Sequence, residues 1–321
     1  MSRVITVTLN PAIDLTVRVD HLVPGQVHRA LGQHSEAGGK GIGVAAVLAA
    51  LGVPVAAAGW LGADNAGLFE AAFARRGITD LMQRLPGATR TNIKLADAQR
   101  GDSTDINLPG LALGAEGIEA ALAALTECLH AALQPGDWCE MAGSLPPGVQ
   151  AGAWVRIAQA VKARGAHLAV DTGGTTLAAL LPALAQAGTP PAFIKPNQAE
   201  LEELTGRPLP TQAEVQQAAQ ALLAQGLDAV VVSQGGEGAL IVSAQGCWQA
   251  RPPRVPVATT VGAGDAMVAG TLAARIEGRP WPDAAVFGMA CAAGRIQRIA
   301  PQLPPRNEIE RLAAAVSLQP L

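Results

Sequence analysis

TTVGAGDAMVAG, residues 259–270, places three small residues and one acid where an apolar helical run begins. Val255 to Thr260 reads as extended and Ala266 to Ile276 as a helix, so VGAGD is a strand-to-helix turn. The first N–H groups of a helix lack intrahelical acceptors, and the helix dipole adds partial positive charge there. Gly262, Ala263 and Gly264 let a ligand approach that backbone closely. Such an end suits an anion and the charge that develops during phosphoryl transfer. Asp265 beside it is a candidate general base on an attacking hydroxyl. The same residues also describe an aspartate cap behind a glycine turn.

Outward from this turn, short apolar runs alternate with Ala-rich helical stretches. Strands are expected at Val4–Thr8, Val53–Gly59, Trp138–Met141, Leu168–Asp171, Phe193–Ile194, Ala229–Ser233 and Ala239–Val242. Helices are expected near 40–51, 65–76, 115–132, 151–164, 175–185, 212–225, 263–276, 282–297 and 306–315. Strand, helix, strand in series implies an α/β fold: three layers, with a mainly parallel sheet flanked by helices. Ligands then bind beyond the carboxyl ends of the strands. Residues 14–30 and 89–110 break the rhythm, alternating apolar and polar residues around turn signals. They read as antiparallel strands of a small β lid, formed by segments about 12–36 and 88–110. A lid sheet with one apolar face needs cover, so pairing with a second subunit as a homodimer is expected.

Length and charge narrow the function classes. One large α/β domain can hold all 321 residues, so 1–321 is expected as a single domain. Charged residues are 15% of the chain and the formal net charge is −3, which argues against nucleic acid and polybasic membrane contacts. Gly41 to Ala63 carries no charge, but LGVP interrupts it; it reads as buried helix, turn and strand rather than a membrane span. Cys128, Cys139, Cys247 and Cys291 form no CxxC pair, and the reading is reduced thiols in the cytoplasm. The five His residues show no metal-ligand spacing. Only four of 23 basic residues are Lys, and three of these (Lys40, Lys94 and Lys195) fall in motifs. An ammonium is a compact point charge where guanidinium is a planar fork.

Five further stretches carry candidate chemistry. In KPNQAELEEL, Lys195 follows a strand, and Asn197 and Glu200 at i, i+3 share the first turn of a helix. An oxygen ligand plus a carboxylate suits Mg²⁺, and the same pair describes a capping box. In SEAGGKGIGV, Gly38, Gly39 and Lys40 form a glycine turn for a polar or anionic substrate. Walker A is absent, and the GxGxxA of Gly41, Gly43 and Ala46 follows no apolar strand, which argues against dinucleotide binding. In TRTNIKL, Arg90 and Lys94 at i, i+4 of a strand face one way and could clamp a phosphate. SQGGEG, comprising Ser233, Gln234, Gly235, Gly236, Glu237 and Gly238, is a nucleotide cradle or a plain hairpin. Ser144 in AGSLPPGV ends a strand on the ligand side.

The order of NPAIDLT, GGKGI, TRTNIKL, TDINLPG, GSLPPGV, KPNQAEL, SQGGEGAL and TTVGAGDAMVAG resembles the ribokinase-like (PfkB) sugar kinase family from end to end. TRTNIKL, TDINLPG and KPNQAEL resemble its phosphosugar branch. The resemblance implies a nine-stranded or similar core, a β lid that often pairs two subunits, ATP as donor and Mg²⁺ as metal. It implies transfer of the ATP γ-phosphoryl to the C6 hydroxyl of fructose 1-phosphate, a phosphorylated ketose. By position it places Asp265 as base and Gly262, Ala263 and Gly264 as the anion hole. It likewise implies that Asn197 and Glu200 organise Mg²⁺, that Lys195 faces phosphate and that Ser233–Gly238 hold the nucleotide. Asp14, Gly38, Gly39, Lys40, Lys94, Arg90, Asn107 and Ser144 fall on the acceptor side.

Two departures lie on that side. Gly43 stands where the family turn carries Asn, and His28 stands where this branch carries Asn. A buried sugar hydroxyl without its partner costs about 1–3 kcal/mol. Asn at 43 is therefore expected to improve sugar binding. Tagatose 6-phosphate or fructose 6-phosphate as acceptor, and a non-catalytic sugar-phosphate binder, are the alternative readings.

Overall fold

The computed structural model describes residues 2–298 and 302–321. The first half runs β1 (Val4–Thr8), β2 (Ala12–Val19), β3 (Gly32–Gly38), α1 (Lys40–Ala50), β4 (Val55–Gly62), α2 (Gly67–Arg76), β5 (Thr79–Leu85), β6 (Thr91–Asp97), β7 (Ser103–Ile106) and α3 (Ala115–Ala132). Then come β8 (Trp138–Ala142), α4 (Gly152–Ala163), β9 (His167–Asp171), α5 (Gly174–Gln186), β10 (Phe193–Ile194), α6 (Gln198–Thr205) and α7 (Gln212–Leu223). The chain closes with β11 (Ala229–Ser233), β12 (Ala239–Ser243), β13 (Gly246–Arg251), α8 (Ala263–Ile276), α9 (Trp281–Ile296), α10 (Arg306–Ala314) and β14 (Ser317–Pro320).

Ten strands form the main sheet in the order β14-β13-β12-β11-β10-β9-β8-β1-β4-β5. From β11 to β5 neighbours are parallel, and β12, β13 and β14 pair antiparallel at one edge. Side-chain alternation gives the sheet two cores. Ile5, Val7, Cys139, Met141 and Val170 meet α3 to α7, while Val4, Trp138, Ala169 and Phe193 meet α1, α8 and α9. Each fully buried Leu, Ile or Phe in these layers contributes about 1.5–3 kcal/mol. Strand and helix layers thus fix the carboxyl ends of β1, β8, β9, β10 and β11 in one row, where the site lies.

Three strands, β5 and β14 at the two edges and β13 beside β14, add to the expected series, and the helical turn expected at Asn197–Glu200 extends into α6. The stretch before α8 departs from it. Residues 252–260 form no strand, because Pro252, Pro253 and Pro256 offer no N–H to a ladder. Instead the amides of Ala258 and Thr259 both donate to Ile296 O, at 2.8 and 3.1 Å. The turn at VGAGD therefore leads from coil, not strand, into α8.

A second sheet, ordered β3-β2-β6-β7, stands apart as the lid. Its two hairpins are antiparallel within themselves, as expected, but β2 joins β6 in parallel. Val27, Leu31, Ile106 and Leu108 are exposed on it.

Candidate active site

At the start of α8, Gly262 takes φ 78°, a left-handed turn that favours glycine. The first intrahelical bond runs from Ala266 N to Gly262 O at 3.0 Å. The amides of Gly264 and Asp265 have no acceptor within the helix. No side chain caps this end. The Asp265 side chain makes no hydrogen bond or ion pair among the described residues, so the capping alternative does not hold for it. Its carboxylate lies against α1, where a Cβ on Gly43 would come 2.3 Å from Asp265 Oδ2. Asn at position 43 would therefore press on the acid, and the expected gain from that substitution meets a steric cost.

Burial pushes the Asp265 carboxyl up to about 7, and the Asp171 carboxylate adds to the rise. Lys40, Lys195 and Arg295 oppose it. A group ionising near neutrality is matched to accepting a proton at physiological pH. Lys195, buried just past β10, brings its Nζ to 3.5 Å from where a Cβ of Gly264 would stand. Lys40 opens α1 and pairs with Asp171 at 3.3 Å. Burial pulls the Lys40 ammonium down, but Asp171, Glu200 and Asp265 outweigh it and leave its pKa above the ordinary value. Lys40 thus stands within electrostatic reach of Asp265 as well as in the glycine turn. Arg295 on α9 lies with its Nε 3.2 Å from a Cβ position on Gly262.

Asn197 and Glu200 form the capping box of α6. Asn197 Oδ1 accepts from Glu200 N at 2.8 Å, and Glu200 Oε2 accepts from Asn197 N at 2.9 Å. This commits the amide oxygen to the helix and leaves Glu200 Oε1 outside the box. A cation that keeps most of its waters fits such a sparse donor set through Glu200, with Asn197 holding the carboxylate in place. Among the described residues no group of three or more His, Cys, Asp or Glu side chains is placed to hold a metal ion.

The nucleotide-loop candidates, Ser233 to Gly238, leave β11 in a single 3₁₀ turn at Gly235–Glu237 and return into β12. Ser233 N donates to Pro196 O at 2.9 Å, which ties the loop to the Lys195–Asn197 segment. Beneath it, Gln234 donates to Gln212 at 2.9 Å and accepts from Gln249 at 3.2 Å. The spread of these glutamines over three sequence segments hides the cluster from a linear reading.

On the acceptor side, Asp14 on β2 accepts from Asn92 at 3.2 Å. Packing raises the Asp14 carboxyl, against that bond and the charges of Arg90 and Lys94. Gly38 lets Asp14 approach closely, since a Cβ there would fall 2.0 Å from Asp14 Oδ2. Arg90 sits one residue before β6, and its guanidinium donates to the carbonyls of Pro11 (3.3 Å), Leu108 (2.9 Å) and Asn10 (3.0 Å). Lys94 on β6 pairs with Asp105 at 3.5 Å. The two cations expected on one strand face are therefore engaged separately. Ser144 Oγ accepts from Asn10 Nδ2 at 3.0 Å, and Asn10 Oδ1 is buried without a partner. Asn107 follows β7 on the exposed rim. His28 turns inward to its own loop, contacting Val23 N and O at 3.1 and 2.9 Å. Asn10, Asp171, Glu140 and Arg295 are the site residues that sequence reading missed; Asn10 carried a signal as the first residue of NPAIDLT, and Asp171 as the last residue of an expected strand.

A parallel sheet with a four-stranded lid, and an acid set against an open helix start, define the class of sugar kinases with ribokinase-like architecture. The chain belongs to the pfkB family of carbohydrate kinases, whose model matches residues 7–308. It is 50% identical over 273 residues to the 1-phosphofructokinase of Xanthomonas campestris, covering 85% of this chain and 84% of that protein. It is 42% identical over 319 residues to the 1-phosphofructokinase of Rhodobacter capsulatus, covering 99% and 98%. Phosphofructokinase-2 from Escherichia coli, solved in complex with substrates and products, superposes with a TM-score of 0.87 at 28% identity, covering 98% and 99%. The protein is a phosphotransferase acting on sugar, and the family implies ATP as phosphoryl donor.

Proposed function

We propose that this kinase transfers the γ-phosphoryl group of ATP to the C6 hydroxyl of fructose 1-phosphate, giving fructose 1,6-bisphosphate. The observation that carries the chemistry is Asp265: an acid with no competing hydrogen bond, tuned to about 7, at the uncapped start of α8. The acceptor rests on the relatives named 1-phosphofructokinase. Asp265 takes the hydroxyl proton as the oxygen attacks. The amides behind Gly262, Ala263 and Gly264 meet the charge on the transferring group. Lys195 and Lys40 add positive charge beside it.

Asp14, Gly38, Gly39, Asn107 and Ser144 hold the sugar, and Arg90 and Lys94 turn to its phosphate. Arg90 uses three of its five N–H groups on carbonyls and keeps two for a ligand. Ser233 to Gly238 cradle the nucleotide. Glu200, held by Asn197, would carry Mg²⁺, which neutralises phosphate charge when bound. The lid covers the reacting groups and favours transfer to sugar over hydrolysis.

Residues 1–321 act as one kinase domain in this reading. The exposed Val27, Leu31, Ile106 and Leu108 support a homodimer joined through the lid. Among the described residues no helix is long and apolar enough to cross a membrane, and the four free cysteines suit a reducing cytoplasm.

The test is ADP release with fructose 1-phosphate, tagatose 6-phosphate, fructose 6-phosphate and free fructose side by side. Fructose 1-phosphate should give the highest kcat/KM, by at least about tenfold. A higher value for another acceptor overturns the assignment.

A further inference from the structure

On the α1 and α8 side of the main sheet, the apolar face turns polar toward the carboxyl edge. Val4 and Trp138 lie on that face. Two residues further along the same strands stand Thr6 and Glu140, paired in register, and then Thr8. Glu140 is 0% exposed, and neither of its carboxyl oxygens has a partner. The hydroxyls of Thr6 and Thr8 also have none. The first turn of α1 closes over this group: a Cβ on Gly41 would stand 2.4 Å from Thr8 Oγ1 and 3.3 Å from Glu140 Oε2. The charged groups facing Glu140 are Lys40 from α1, Asp171 from β9 and Asp265 from α8. Lys40 is already held by Asp171.

An ionised carboxylate here would be buried, without a donor, beside two other acids. The un-ionised acid removes that conflict. We propose that Glu140 is a positioning residue kept as the neutral carboxylic acid, so that Lys40 stays with Asp171 and the substrates and Asp265 is the carboxylate that ionises at the transfer end. Burial first, then Asp171 and Asp265, drive the Glu140 carboxyl well above its ordinary range, with Lys40 the one opposing charge. The role in transfer rests on the kinase reading above; the protonation state does not.

The test has a thermal arm and a kinetic arm. Glu140 has a folded pKa above its unfolded value, so the unfolded chain releases this proton first. Stability from this group is intact below about pH 4.3 and falls as pH rises from there to the folded pKa. Glu140→Gln cannot ionise. Its melting temperature relative to wild type should therefore climb steadily between pH 5 and pH 8. Glu140→Leu gives the same slope with a different offset, and serves if the Gln variant does not fold. In the kinetic arm, a neutral Glu140 adds no charge beside Asp265, so Glu140→Gln should leave the acid limb of the kcat/KM profile where wild type has it. A melting difference independent of pH overturns the proposal, and so does an acid limb displaced to lower pH by about one unit, as removal of a negative charge beside Asp265 would give. The thermal arm decides the protonation state even if no sugar phosphate is turned over, which separates its failure from failure of the kinase reading.

Discussion

The two ends of the proposed site are built differently. At the transfer end, Asp265 has no partner among the described residues, α8 has no cap, and the supporting side chains rise from buried strands and helices. At the acceptor end, the groups expected to meet the substrate are already engaged. Arg90 holds three backbone carbonyls, Lys94 holds Asp105, and Asp14 holds Asn92. Under the proposed function the transfer end is preorganised, so its contribution appears at the moment of reaction. The acceptor end then exchanges existing contacts for substrate, and each of its residues contributes only the difference.

That contrast orders the effects of substitution. Asp265→Asn should reduce kcat by about 10²-fold or more, the low end for a general base. Calorimetry should still register both substrates, and near-normal turnover would remove Asp265 from the chemistry. Arg90→Ala should raise the KM for the sugar phosphate about tenfold, since a charged hydrogen bond is lost but carbonyl contacts had offset part of it. A raised KM for ATP with an unchanged sugar KM would reverse the assignment of the two ends of the proposed site. Gly43→Asn should lower kcat by about fivefold, because overpacking against the Asp265 carboxylate costs about 1–3 kcal/mol. Tighter sugar binding with unchanged kcat would mean that the acid swings aside freely.

The same contrast governed what the sequence made legible. β1, β10 and β11 match their expected bounds, Val4–Thr8, Phe193–Ile194 and Ala229–Ser233, because strands buried on both faces read as continuous apolar runs. β5, β13 and β14 escaped, since TDLMQRL, GCWQAR and SLQP are part-exposed segments at or next to the sheet edges whose pattern is diluted by polar residues. The helix start at α8 was readable from local chemistry, as was the Asn197–Glu200 box, which local spacing left open between metal and cap. Contacts made across long sequence distances were not. Arg90 meeting Asn10, Lys40 meeting Asp171, and Asp265 resting on Gly43 all depend on how the layers stack. Glu140 was hidden for a further reason: one acid inside an apolar strand gives no periodic signal.

The pH dependence of kcat/KM bears most directly on the central claim, because it reports the ionisation of the free enzyme's essential base. With its pKa raised to about 7, Asp265 is a competent base above that pH and is lost as a base below it. For fructose 1-phosphate, kcat/KM should fall about tenfold per pH unit on the acid side of neutrality. A flat profile from pH 5 to pH 8 would contradict the account.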